Sequence, residues 1–152
     1  MKITTLPMDS VNEVLQLQLS TGGIASLVVT GDSMWPTLRH RHDVVRLVPV
    51  NAPLKRGDLI LYKRKNGSFI LHRIISKPKE GAFFCCGDNQ WEREAVGEDQ
   101  VIARVDSFYR GNRECSVNSR RTRAWVGFWV GTFFLRKPML TLGRAISRIR
   151  RK

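Results

Sequence analysis

Gly31-Asp32-Ser33-Met34-Trp35-Pro36-Thr37-Leu38 sits between an apolar run, residues 24–30, and a polar turn, Arg39-His40-Arg41-His42-Asp43. The run reads as a β-strand. Gly31 lets the backbone turn out of it. Pro36 bars a helix, because its ring fixes φ and it has no N–H to donate. The stretch therefore predicts a serine held on a bend at the end of a strand, with its hydroxyl free to face a groove. A serine beside a glycine is most often only a turn residue. The stretch needs partners elsewhere before it points to chemistry.

Three downstream blocks supply them: Gly57-Asp58-Leu59-Ile60-Leu61-Tyr62, Leu71-His72-Arg73-Ile74-Ile75 and Gly87-Asp88-Asn89-Gln90. Residues 58–65 and 68–75 read as two strands around Asn66-Gly67, and Asn-Gly between apolar runs is a strong hairpin signal. Side chains alternate along a strand, so Ile70, His72 and Ile74 share one face. Residues 44–48 form an apolar run broken by Arg46, and Pro49 and Pro53 frame the loop after it. Residues 82–86 read as a short buried strand ended by Gly87, and 90–94 as a polar loop. Residues 101–109 form another strand, turned at Gly111-Asn112 toward 114–117. Upstream, Ser10 and Glu13 have capping-box spacing, with Ser10 as N-cap. Val11, Val14 and Leu15 offer an apolar helical face, and Gly22-Gly23 ends the segment. The expected fold is mainly β: an antiparallel sheet domain over 24–118, a helix and lead-in over 1–23, and a helical tail over 119–152.

The net charge is +13, and its distribution is uneven. Residues 120–152 hold ten Lys or Arg and no acid, which leaves the remainder at +3. Residues 124–135 are rich in Trp, Phe and Val, but about 20 apolar residues are needed to cross a bilayer. After Arg136-Lys137-Pro138, the residues Met139, Leu142, Ile146 and Ile149 recur at helical spacing, with Arg144, Arg148 and Arg151 on the other side. Trp125 and Trp129 suit a headgroup boundary. Residues 122–152 thus read as basic amphipathic helices lying on an anionic membrane surface. Helices packed back on the sheet, or a dimer contact, are the competing readings. Nucleic acid fits less well, because the bulky apolar residues exceed what base stacking needs.

Cys85, Cys86 and Cys115 are odd in number and lack a disulfide framework spacing, which favours free thiols and a reducing compartment. Residues 1–7 carry no long apolar core, so no secretory signal is expected. His40 and His42 form a His-x-His pair flanked by arginines with no third ligand nearby, so a solvated turn is expected there and no metal or cofactor.

The order and spacing of the four blocks resemble the type I signal peptidases and their relatives, a serine-peptidase superfamily that includes the self-cleaving repressors of the DNA-damage response. The resemblance covers residues 24–106. It implies Ser33 as nucleophile. Serine is weak at its own pKa and needs a base within reach. Bacterial signal peptidases supply a lysine; the corresponding place here holds His72, which resembles the archaeal and endoplasmic-reticulum branch. An imidazole is mostly neutral at pH 7 and can accept the hydroxyl proton. The same resemblance makes Asp88 the group that orients His72. Asp58 is expected to shape a turn, Asp32 to sit at a turn or rim, and Arg73 at the surface. The Ser33 N–H is the obvious oxyanion donor. Gly31, Asp32, Met34, Trp35 and Pro36 are expected along the substrate groove.

The expectation is a serine endopeptidase that removes a leader or signal-like peptide, cytoplasmic and peripheral on the inner membrane face. The familiar signal peptidases differ in carrying an N-terminal membrane anchor. The alternative is an inactive peptide-binding or membrane-adaptor module on the same fold. A self-cleaving repressor fits poorly: that branch uses a lysine base and a DNA-binding domain, for which the first 23 residues are too few.

Overall fold

The computed structural model describes residues 8–77 and 81–149, with side chains from residue 13 onward. Helix α1 (Met8–Ser20) is followed by β1 (Ala25–Val28), β2 (Asp43–Val48), β3 (Leu59–Lys63), β4 (Phe69–Ser76) and β5 (Ala82–Cys86). Then come β6 (Glu94–Gly97), β7 (Val101–Arg110), β8 (Arg113–Ser116), α2 (Arg120–Gly131) and α3 (Arg136–Ile149). The sheet is antiparallel and runs β1-β2-β7-β3-β4-β5-β6, with β8 on β7. The mainly β expectation holds, with helices at both ends.

The β3–β4 hairpin forms where Asn66-Gly67 places it. Gly67 takes a φ of 88°, the left-handed region glycine accepts without a side-chain clash. Its N–H donates to Arg64 O at 2.9 Å, and Lys63 then faces Phe69 in register. β3 is central and apolar on both sides. Its Leu59 and Leu61 enter one core with Leu15 and Leu19 of α1, Val45, Leu47, Met34 and Val105. Its Ile60 and Tyr62 enter the other, with Ile74, Phe83, Cys85 and Val96. That is why residues 59–62 read as an unbroken apolar run rather than an alternating one.

Three expectations need correction. Met8 and Asp9 are already helical in α1, so Ser10 lies inside it and is not its N-cap; helix ends commonly shift by a residue or two. The polar loop after Gln90 ends in a strand, because Glu94 starts β6 and pairs with Cys85. The third concerns the tryptophans. α2, capped by the Ser119 hydroxyl on Thr122 N–H, lies back on the sheet domain. Trp129 is buried and donates to Asp88 O, and the Trp125 indole donates to the Thr37 hydroxyl. A buried indole needs a hydrogen-bond acceptor, and these two find theirs inside the protein rather than at a headgroup.

Candidate active site

Ser33 stands on the tight turn after β1. Gly31 has a φ of 84°, and its N–H donates to His40 Nδ1 at 2.7 Å. His40 thus braces the serine turn, a role its position in a basic turn did not signal. The turn is also held from across the sheet. Asn89 N–H donates to Ser33 O at 2.7 Å, and the Asn89 amide donates to Asp32 O at 3.1 Å. No group among the described residues accepts a hydrogen bond from the N–H of Ser33 or of Met34. Both are therefore available as oxyanion donors.

His72 is buried on β4, opposite Ile60 and diagonal to Tyr62. Its Nδ1 lies 3.2 Å from the Tyr62 hydroxyl, which is itself 2.8 Å from Glu94 Oε2. Arg64 forks onto both Glu94 oxygens at 2.7 Å and holds that carboxyl below the usual carboxylate range. Burial, then the Glu94 carboxylate, pushes the Tyr62 phenol far above its ordinary value, so Tyr62 keeps its proton. That single proton goes to Glu94. The phenol oxygen can then only accept, so His72 carries its proton on Nδ1 and leaves the Nε2 lone pair bare. Burial lowers the His72 pKa from 6.5 to about 4, with Glu94 pulling the other way. The imidazole is neutral at pH 7.

Asp88 does not orient His72, and the reason is geometric. Arg73 follows His72 on β4, so its side chain leaves from the opposite face of the strand. Arg73, expected at the surface, is buried there and forks onto Asp88 at 2.9 and 2.7 Å. Thr37 also donates to Asp88, and Arg136 lies 3.8 Å from it. Asp88 is thus fully engaged beneath the sheet, on the far side from the imidazole. Asp58 does shape its turn, accepting the Lys55 N–H at 2.8 Å.

A cavity of about 300 Å³ brings Ser33, Met34 and His72 together with Gln90. Gly31, Asp32, Trp35 and Pro36 do not line it; Trp35 is exposed, and Pro36 faces Trp125 in a separate depression. The walls come instead from residues 27–30, on β1 and just past it, and from Phe69, Ile70 and Leu71 on β4. Among the described residues, both walls are open strand edges. β1 ends the sheet, and β5 pairs only with Arg73, Ile74 and Ser76 of β4. An extended peptide can add to such edges through its main chain. A second cavity of about 480 Å³ meets the first at His72, Gln90 and Arg64, and is lined further by Trp91, Glu92, Arg93, Glu94 and Arg144. No protein-family model and no curated protein matches the chain. The site is therefore read from its own geometry.

Gly87 sits where the serine turn and the imidazole converge. A Cβ there would lie 2.5 Å from Ser33 O and 3.1 Å from His72 Nε2. The first neighbour is backbone and cannot swing aside. Gly87→Ala is expected to displace Ser33 from His72 and, if the two act together on a peptide bond, to lower cleavage about 100-fold, the usual cost of a misplacement near 1 Å. Circular dichroism should stay close to wild type, and equal turnover by the two proteins would refute the juxtaposition.

The tail takes part in the same arrangement. Arg136 donates to Gly87 O at 3.2 Å, Trp129 to Asp88 O at 3.2 Å and Arg144 to Asn89 O at 3.0 Å. Three consecutive carbonyls of the turn that grips Ser33 are thus held by α2 and α3.

Proposed function

We propose that this protein is a serine endopeptidase of the signal-peptidase type that cuts an extended, leader-like peptide. Ser33 Oγ attacks the scissile carbonyl while His72 Nε2 takes its proton. The imidazolium so formed donates from Nδ1 to Tyr62, and the Glu94 charge behind Tyr62 stabilises it. The N–H groups of Ser33 and Met34 receive the oxyanion. His72 then returns the proton to the leaving amine, and water completes the cycle with His72 again as base. The observation that carries this reading is the sharing of one cavity, between two open strand edges, by Ser33 and a histidine with its Nε2 bare.

The two cavities suggest the substrate's chemistry. One is walled by apolar side chains. The other contains Arg93 and Arg144, neither of which has a carboxylate partner among the described residues, together with Glu92 and the Arg64–Glu94 pair. A peptide with apolar residues on one side of the cut and a polar or charged residue on the other would suit both.

A peptide-binding module without catalysis has one observation on its side: Ser33 and His72 form no hydrogen bond in the structure. Catalytic hydrogen bonds are often long before substrate binds. Digestion of a diverse peptide library, read by mass spectrometry, separates the two. Cuts made by the wild type and lost in both Ser33→Ala and His72→Ala are the expected result. Identical patterns for wild type and Ser33→Ala would sink the peptidase reading. Peptide capture without any cuts would favour the module.

A further inference from the structure

We infer that the outward face of α3 docks on an anionic lipid surface. The helix has two unlike sides. One is seated on the sheet domain: Arg136 and Leu140 are buried, and Arg144 stacks 5.0 Å from the Trp91 ring. The other carries Met139, Leu142, Ile146 and Ile149, which are 45, 62, 49 and 74% exposed. Their spacing of three, four and three residues makes one stripe along the whole helix. Phe134, 76% exposed, lies just ahead of it. A continuous apolar stripe left in water marks a surface that meets something else.

Charge selects the partner. Residues 120–152 hold ten Lys or Arg and no acid. A second copy would bring the same charge against itself, whereas an anionic bilayer attracts it. Lys137 and Arg148 are exposed on the helix and stay in reach of headgroups, since a helix is about 10 Å across and charges act over about that distance. At 14 residues α3 is about 21 Å long, short of the roughly 30 Å of a hydrocarbon core. Among the described residues no helix is long and apolar enough to cross a membrane. The helix therefore lies in the interface plane with its stripe down.

This inference does not depend on peptide cleavage, and Ser33→Ala protein serves as the test material. Flotation with phosphatidylglycerol-rich vesicles is expected, with binding about tenfold weaker to phosphatidylcholine alone and weaker still at high salt. Leu142→Glu with Ile146→Glu should reduce binding at least about tenfold while leaving the circular dichroism unchanged, because both side chains are already in water. Lys137→Glu with Arg148→Glu keeps the stripe and should weaken binding to anionic vesicles only. The inference fails if no vesicle is bound, or if neither pair of substitutions changes binding. It also fails if analytical ultracentrifugation shows a dimer that Leu142→Glu with Ile146→Glu dissociates, since a second copy would then occupy the face.

Discussion

His72→Gln should lower kcat/KM for a cleaved peptide by about 10⁶-fold, as removing the base from a serine nucleophile does elsewhere. Glutamine can keep the hydrogen bond to Tyr62 but cannot take a proton. The wild-type pH profile carries the more specific expectation. His72 acts only when neutral, and burial sets its pKa at about 4 instead of 6.5. The acid limb of kcat/KM should therefore lie near pH 4, with activity intact at pH 6. Glu94 opposes burial by favouring the charged imidazole. Glu94→Gln should move the limb to still lower pH and also reduce the rate at pH 7, because the transition-state imidazolium loses its counter-charge. A Glu94 that only buttressed the fold would leave the limb in place.

The same shift bears on stability. The unfolded chain protonates His72 below pH 6.5, whereas the folded protein resists until about pH 4. This stability is present above pH 6.5 and is lost as the pH falls toward 4, by roughly 3 kcal/mol. His72→Gln should lack that part of the acid sensitivity in urea unfolding. A limb near pH 6.5 would overturn the burial argument.

Asp88→Ala is expected to cost about 3–5 kcal/mol of stability, the usual effect of removing one partner from a buried ion pair. Asp88 is fully buried, and both Arg73 and Arg136 converge on it from buried positions. Its removal leaves two guanidinium groups out of water with no counter-charge. For Arg136, burial already lowers the pKa and its Nε has no acceptor; the carbonyls of Gly87 and Trp129 still accept from it, but they carry no full charge. Adding Arg136→Met to Asp88→Ala should recover part of the loss, because one stranded charge is then gone. Urea unfolding of the two variants measures both effects. The outcome also separates two roles for Asp88. An aspartate orienting the histidine would lose rate with stability intact, whereas the ion-pair role predicts a stability loss. A change under about 1 kcal/mol would refute the ion-pair role.

The sheet was legible from short-range signals. Asn66-Gly67 set the β3–β4 register, and that register put His72 on one face with Ile70 and Ile74. It also made Tyr62 a neighbour of His72, so the first partner of the imidazole was within reach of the same reasoning. Glu94 was not. β6 is four residues of mixed character, and it reaches Tyr62 only through pairing with β5. Arg73 misled for the opposite reason: a charged side chain on a strand reads as exposed unless its counter-charge is known. Its partner is Asp88, 15 residues on, and Arg136 is farther still. In the tail, the amphipathic pattern of α3 was plain, while the inward packing of Trp125 and Trp129 depended on acceptors at Thr37 and Asp88 that no local pattern names.

The grip of α2 and α3 on residues 87–89 has a consequence for the newborn chain. Translation runs from the N-terminus, and domains fold as they emerge. Every group assigned to proton transfer has been made once Glu94 is added. The side chains that hold the turn behind Ser33 come from Trp129, Arg136 and Arg144, and arrive some 35 to 50 residues later. A ribosome-bound chain thus carries the proposed nucleophile and base before it can steady them. On the proposed reading, competence to cut is deferred until α3 has been made.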